Sequence, residues 1–128
     1  MSVPAINTVA WFEVASDDPD AAQRFYGDLF GWRFETDEDS AAGGMDYRIV
    51  SYPGDGQARG GFSGTGGQRP GHAVFTVLVA DVAGTCAKAE SLGGTVVSKV
   101  VGNAHGPDFA YVHDTSGNLF QIFAEVGS

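Results

Sequence analysis

Seven side chains on three short extended segments have the types and spacing to act on a small molecule. Residues two apart on a strand share a face. Trp11 and Glu13 therefore go with Val9, His72 with Val74, Thr76 and Leu78, and Gln121 with Leu119 and Phe123. With position 11 turned inward, a cleft lined by these strands holds one large aromatic, several aliphatics and four polar groups: Glu13, His72, Thr76 and Gln121. That lining suits a flat, largely apolar organic ligand fixed by a few hydrogen bonds. The Trp11 indole offers offset stacking to an aromatic guest, worth about 1 kcal/mol beyond area burial. Filling core space is the plain alternative for it.

Glu13 is the only carboxylate at an inward strand position, which makes it a candidate general base. A carboxylate that is merely hydrogen-bonded, or that sits at a wet rim, is the competing role. His72 follows Pro70-Gly71, so it opens its strand and is expected at the mouth of the cleft. Phe109, Tyr111 and His113 share a strand face, and His105 falls in a loop expected to be exposed to solvent. Cys86 has helical spacing from Val82 among apolar neighbours, the setting of a buried, inert thiol. No Gly-x-Ser-x-Gly elbow occurs, and one cysteine rules out both an internal disulfide and a paired-cysteine metal motif.

The remaining composition narrows the partners. The 128 residues carry 16 acidic and 7 basic side chains, a formal charge of −9. No Lys/Arg cluster is there to neutralise phosphates, which opposes nucleic acid and anionic membrane. The acidic surface favours a cationic guest. No apolar run reaches the roughly 18 residues that span a bilayer, and MSVPAINT lacks the basic and apolar regions of a signal peptide. With its lone cysteine, the chain is expected in a reducing, cytoplasmic compartment.

Elements must hold those side chains in place. Val9 to Val14 reads as a strand; Asp18 is a natural N-cap, with Pro19 at the first helical position. Ala22, Phe25, Tyr26 and Leu29 then form one apolar face of a helix that Gly31 stops. Trp32 to Glu35 and Tyr47 to Tyr52 alternate as strands, and acidic Asp37-Glu38-Asp39 opens a solvated loop reaching Gly44. His72 to Val79 is a strand, Asp81 caps a helix whose Val82, Cys86, Ala89 and Leu92 face the core, and Gly93-Gly94 ends it. Thr95 to Val101, Phe109 to His113 and Leu119 to Glu125 are strands. The expected organisation is a single domain with module one over about 5–62, a glycine-rich join over about 63–71 and module two over about 72–126. The glycine-rich stretch begins near Gly60 and reads as a flexible crossover, since no phosphate-loop context surrounds it.

A constant offset of 63 ties the halves together. It pairs Ala10 with Ala73, Phe12 with Phe75, Val14 with Val77, Asp18 with Asp81, Leu29 with Leu92 and Gly31 with Gly94, without a gap. Six identities at structurally meaningful places point to a duplicated unit of one strand, one helix and three strands.

Phe25-Tyr26 with Leu29-Phe30-Gly31-Trp32, following Asp18, resembles the first-module signature of the vicinal oxygen chelate superfamily. This is the glyoxalase, bleomycin-resistance and extradiol-dioxygenase group. Asp114-Thr115-Ser116-Gly117-Asn118-Leu119-Phe120 is similar to its second-module ending. The resemblance spans nearly the whole chain. It implies an α+β fold of two tandem βαβββ modules forming a U-shaped, partly open mixed β-barrel, with helices on the convex side, usually as a homodimer. Its metal enzymes place a His seven residues before each capping Asp and a Glu on the last strand of each module. Here those places hold Trp11 and Val74, Gln121, and residues 58–61, which contain no acidic residue or His. An indole has a donor and no lone pair to give, and valine has neither.

The expectation is therefore a metal-free binding protein without a cofactor. It would sequester an aromatic or hydrophobic antibiotic or secondary metabolite, with Trp11, Glu13, His72, Val74, Thr76, Gln121 and Phe123 as ligand contacts. The alternative is an enzyme on the same scaffold, a lyase, isomerase or cyclase, metal-free or with displaced metal ligands, using Glu13 or a His as acid or base.

Overall fold

A computed structural model describes residues 5–102 and 106–125; His105 lies outside the described residues. Eight strands and three helices follow the order β1 (Thr8–Ser16), α1 (Pro19–Phe30), β2 (Arg33–Thr36), α2 (Glu38–Ala42), β3 (Tyr47–Ser51), β4 (Ala58–Gly64), β5 (His72–Leu78), α3 (Val82–Ser91), β6 (Thr95–Val100), β7 (Asp108–His113) and β8 (Leu119–Ala124). The fold is α+β. The chain forms two compact units: Trp11–Ala73, and Val74–Ser128 together with Met1–Ala10.

In the unit Trp11–Ala73 the strands run β2-β3-β4-β1. β2, β3 and β4 are antiparallel neighbours, while β1 joins β4 in parallel with Glu13 opposite Gly61. The other unit repeats the pattern as β6-β7-β8-β5. There β6, β7 and β8 are antiparallel, and β5 lies parallel to β8 with Thr76 opposite Gln121. Duplication read from the offset of 63 is thus duplication of topology, down to the one parallel pair in each unit.

α1 begins as its residues dictate. Asp18 Oδ1 accepts the Ala21 N–H at 3.1 Å, Pro19 fills the first turn, and Gly31 ends the helix in the left-handed region at φ 75°. The helix lies against β2 and β4. Its apolar face is narrower than the spacing of Ala22, Phe25, Tyr26 and Leu29 predicts. Tyr26 packs, stacked on Trp32 at 5.4 Å and edge-on to buried Phe62 at 5.2 Å, but Phe25 and Leu29 are 62% and 57% exposed.

Three further local differences have physical reasons. The acidic segment after Asp37 is not all loop: it forms the short helix α2, in which Asp37 accepts the Ser40 hydroxyl at 2.5 Å. The glycine-rich stretch expected to begin a flexible crossover at Gly60 instead continues β4 through Gly64. Asp81 precedes α3 without a side-chain cap; its carbonyl accepts both the N–H and the hydroxyl of Thr85. α3 packs on β6, β7 and β8, and its Val82 and Cys86 enter a core with Val79, Ala110, Val112, Ile122 and Ala124. Burial raises the Cys86 thiol above its ordinary value, so it stays a thiol there.

Candidate functional site

Glu13 and His72 come together. Both belong to the unit Trp11–Ala73, and His72 Nε2 lies 2.8 Å from Glu13 Oε1. The carboxylate side chain is 3% exposed and the imidazole 11%, so the ring is the member of the pair that solvent reaches. The sequence places each on an inward strand position but gives no sign that they pair, because β1 and the start of β5 are 59 residues apart.

A third residue completes the arrangement, and sequence reasoning missed it. Tyr47, on β3, accepts the Trp11 indole N–H at 3.0 Å and hydrogen-bonds the Glu13 carboxylate. Its hydroxyl is held well above the ordinary value of 10.0, first by burial and second by the negative charge of Glu13. A phenol so placed remains protonated and donates to the carboxylate. The result is a continuous chain: indole N–H to phenol oxygen, phenol O–H to carboxylate, carboxylate to imidazole.

Gly61 makes room for it. Gly61 sits opposite Glu13 on β4, and any Cβ there would collide with the Tyr47 phenol. Gly60 likewise lies beneath the Phe12 ring. The two glycines thus act as side-chain-free strand positions that let rings from β1 and β3 cross over β4. A signal was present: a Gly-Gly pair in an otherwise alternating strand marks a close approach. Which ring approaches requires the register.

The remaining predicted contacts lie in the other unit. Thr76 and Gln121 face one another across the parallel β5/β8 pair, and the Thr76 hydroxyl donates to Gln121 Oε1 at 2.8 Å. Both are buried. Val74 and Phe123 are partly buried, Phe123 opposite Phe109 on β7. Phe109 and Tyr111 meet edge-on at 5.9 Å, as shared facing predicts. Among the described residues no buried side-chain nitrogen or oxygen lacks a hydrogen-bond partner. A shallow, open recess of about 310 Å³ elsewhere is lined by Arg33, Ser51, Tyr52, Gly54, Asp55 and Gly56, and none of the predicted contacts borders it.

Residues 8–122 match the Glyoxalase/Bleomycin resistance protein/Dioxygenase superfamily. The chain belongs to that superfamily. It is 28% identical over 121 residues to a "Glyoxylase-like domain-containing protein" of Didymella fabae, covering 93% of this chain and 94% of that one. It is 30% identical over 115 residues to "Putative glyoxylase CFP32" of Mycobacterium tuberculosis, covering 90% of this chain. The match spans only 43% of that relative's length. Among solved structures, the methylmalonyl-CoA epimerase of M. tuberculosis superposes with a TM-score of 0.59 at 18% identity, covering 98% and 93% of the two chains. The epimerase of Streptomyces coelicolor gives 0.61 at 17%, covering 96% and 100%. At these identities the likeness is one of fold.

The strand registers relate, between the two modules, the positions at which the resemblance places metal ligands. Glu13 opposite Gly61 repeats Thr76 opposite Gln121, so the module-one partner of Gln121 is Gly61. The four positions are therefore Trp11, Gly61, Val74 and Gln121. These residues do not fit a divalent metal. Trp11 gives its only polar atom as a donor to Tyr47, Gly61 and Val74 have no ligating atom, and the Gln121 oxygen accepts from Thr76. No group of three or more His, Cys, Asp or Glu suited to a metal occurs among the described residues.

Proposed function

We propose that this superfamily member is a small-molecule binding protein that works without a divalent metal. Its cargo on this reading is an aromatic or hydrophobic compound such as an antibiotic or secondary metabolite. One observation carries the proposal: the indole of Trp11 stands where a metal-binding relative would have a ligand, anchored by its N–H to Tyr47 at 3.0 Å. An indole fixed at its edge has one orientation, and its face becomes a preorganised stacking surface. Glu13, His72, Val74, Thr76, Gln121 and Phe123 are the proposed supporting contacts. A homodimer in the cytoplasm completes this reading.

Fluorescence tests it. The protein has two tryptophans, and Trp32 belongs to the aromatic cluster of α1 and β2, so a Trp32→Phe variant reports on Trp11 alone. Titration with polycyclic aromatic and glycopeptide natural products is expected to quench that emission, with calorimetry confirming stoichiometric binding. If no compound binds more tightly than about 100 μM, the reading fails.

The Glu13–His72 pair favours a second reading, an acid–base enzyme on the same scaffold. A buried carboxylate against an imidazole is an arrangement that proton transfer uses.

A further inference from the structure

We propose that the recess where β3 ends and β2 begins is a binding site for a small organic carboxylate, with Arg33 as the residue that selects the charge. The whole recess lies in the unit Trp11–Ala73, and none of the ligand contacts proposed above borders it. The inference therefore stands apart from the reading of Trp11 and Glu13.

The sheet sets a cation beside a hydroxyl. Arg33 opens the edge strand β2 and is the register partner of Ser51, the last residue of β3, so both side chains leave the same face of that pair. Tyr52, 37% exposed, adds a phenol whose ring leans on Trp32 at 5.6 Å. Gly54, Asp55 and Gly56 complete the wall. Among the described residues, no hydrogen bond or ion pair engages the Arg33 guanidinium, the Ser51 hydroxyl or the Tyr52 hydroxyl.

A carboxylate in the wall would argue for a cationic guest, but this one is already answered. Arg59 donates from Nε to Asp55 Oδ2 at 2.5 Å and from Nη2 to Oδ1 at 3.1 Å. That fork holds the Asp55 carboxyl below the ordinary carboxylate range. The uncompensated charge of the recess is then that of Arg33. The loop backbone agrees in sign. Its φ is 77° at Gly54, negative at Asp55 and 71° at Gly56, an alternation found in anion-binding concavities. The net charge of −9 opposes an anion only weakly here, because physiological salt screens exposed charges beyond about 8 Å.

Shape selects among anions. A guanidinium presents a planar fork that matches the two oxygens of a carboxylate, and the Tyr52 ring offers a flat wall to an apolar body. At about 310 Å³ the recess is at the small end of ligand pockets, with room for a compact acid.

Benzoate is the probe, benzamide its neutral match in shape, and inorganic phosphate an anion without the ring. Binding is read by NMR from the Gly54 and Gly56 amides and the Arg33 Nε–H. Benzoate is expected to shift all three with a Kd of about 1 mM. Benzamide should bind at least about 10-fold more weakly, and Arg33→Gln should weaken benzoate by the same factor. Arg59→Gln leaves Asp55 to take Arg33 or repel the anion, so it too should weaken benzoate, and Arg59→Lys should recover much of the loss. Far-UV circular dichroism confirms that each variant is folded.

Equal binding of benzoate and benzamide, or an unchanged Kd in Arg33→Gln, overturns the proposal. So does a benzoate response confined to other residues. Phosphate binding as tightly as benzoate at the same amides would make this a site for any small anion and overturn the carboxylate assignment. Unchanged benzoate affinity in Arg59→Gln would overturn the part given to the Asp55–Arg59 pair.

Discussion

Tyr47 is held at the centre of the site by two opposite demands, an indole that donates to its oxygen and a carboxylate that takes its proton. The consequence for stability has a definite sign. Its value in the folded state is raised above the ordinary 10.0, so its contribution is complete below that value and is lost as pH climbs beyond it. Between about pH 10 and 11, the denaturant midpoint of wild type should fall more steeply than that of Tyr47→Phe; parallel curves would mean the phenol is not held protonated. Gly61 supplies a steric counterpart. Gly61→Ala should cost about 1–3 kcal/mol by overpacking, and most of that should vanish in a Tyr47→Ala background. A double-mutant cycle by urea unfolding measures the coupling, and additive costs would refute the crossing of the ring over β4. The types of Trp11, Glu13 and His72 were legible from strand alternation, whereas Tyr47 was read only as part of a strand. Alternation tells which residues share a face of one strand. Reach across an intervening strand depends on register and on a missing side chain, and neither is written in local spacing.

At the scale of elements, the two capping aspartates look equivalent in sequence and differ in structure. Asp18 bonds the Ala21 N–H, whereas Asp81 makes no side-chain cap. Asp18→Ala should therefore cost about 1 kcal/mol, and Asp81→Ala less than half of that, by urea unfolding at neutral pH. Equal losses would show that the caps are alike in solution. The same contrast shows what periodicity conveys about helices. Asp18, Pro19 and Gly31 place the ends of α1 correctly, because caps and left-handed turns are local chemistry. How wide an apolar face gets covered is not local, and Phe25 and Leu29 stay exposed because β2 and β4 reach only the stripe through Tyr26. β4 was obscured for a related reason: two of its buried positions are glycines covered by Phe12 and Tyr47, and Phe62 is its one large apolar side chain.

Across the whole molecule, duplication made the fold readable, and the same duplication marks where the two units differ. Each unit keeps one parallel strand pair, and at the register-equivalent places the two units diverge. Glycine under a phenol stands in one, and a glutamine bonded to threonine stands in the other. At those places neither unit supplies the imidazole and carboxylate oxygens that a divalent ion requires in exchange for its water shell. Stability is then expected to ignore metal. An ion held only by the native state at 100 times its Kd would add about 2.7 kcal/mol, which for a chain of this size raises Tm by roughly 5 °C or more. Untagged protein dialysed against EDTA should melt within about 1 °C of the same protein given Mn2+, Ni2+ or Zn2+. A rise of several degrees with any one of them, abolished in Glu13→Gln or His72→Gln, would place a metal on the very pair that the acid–base reading uses. The same rise unaffected by those variants would put the ion elsewhere and leave that pair intact.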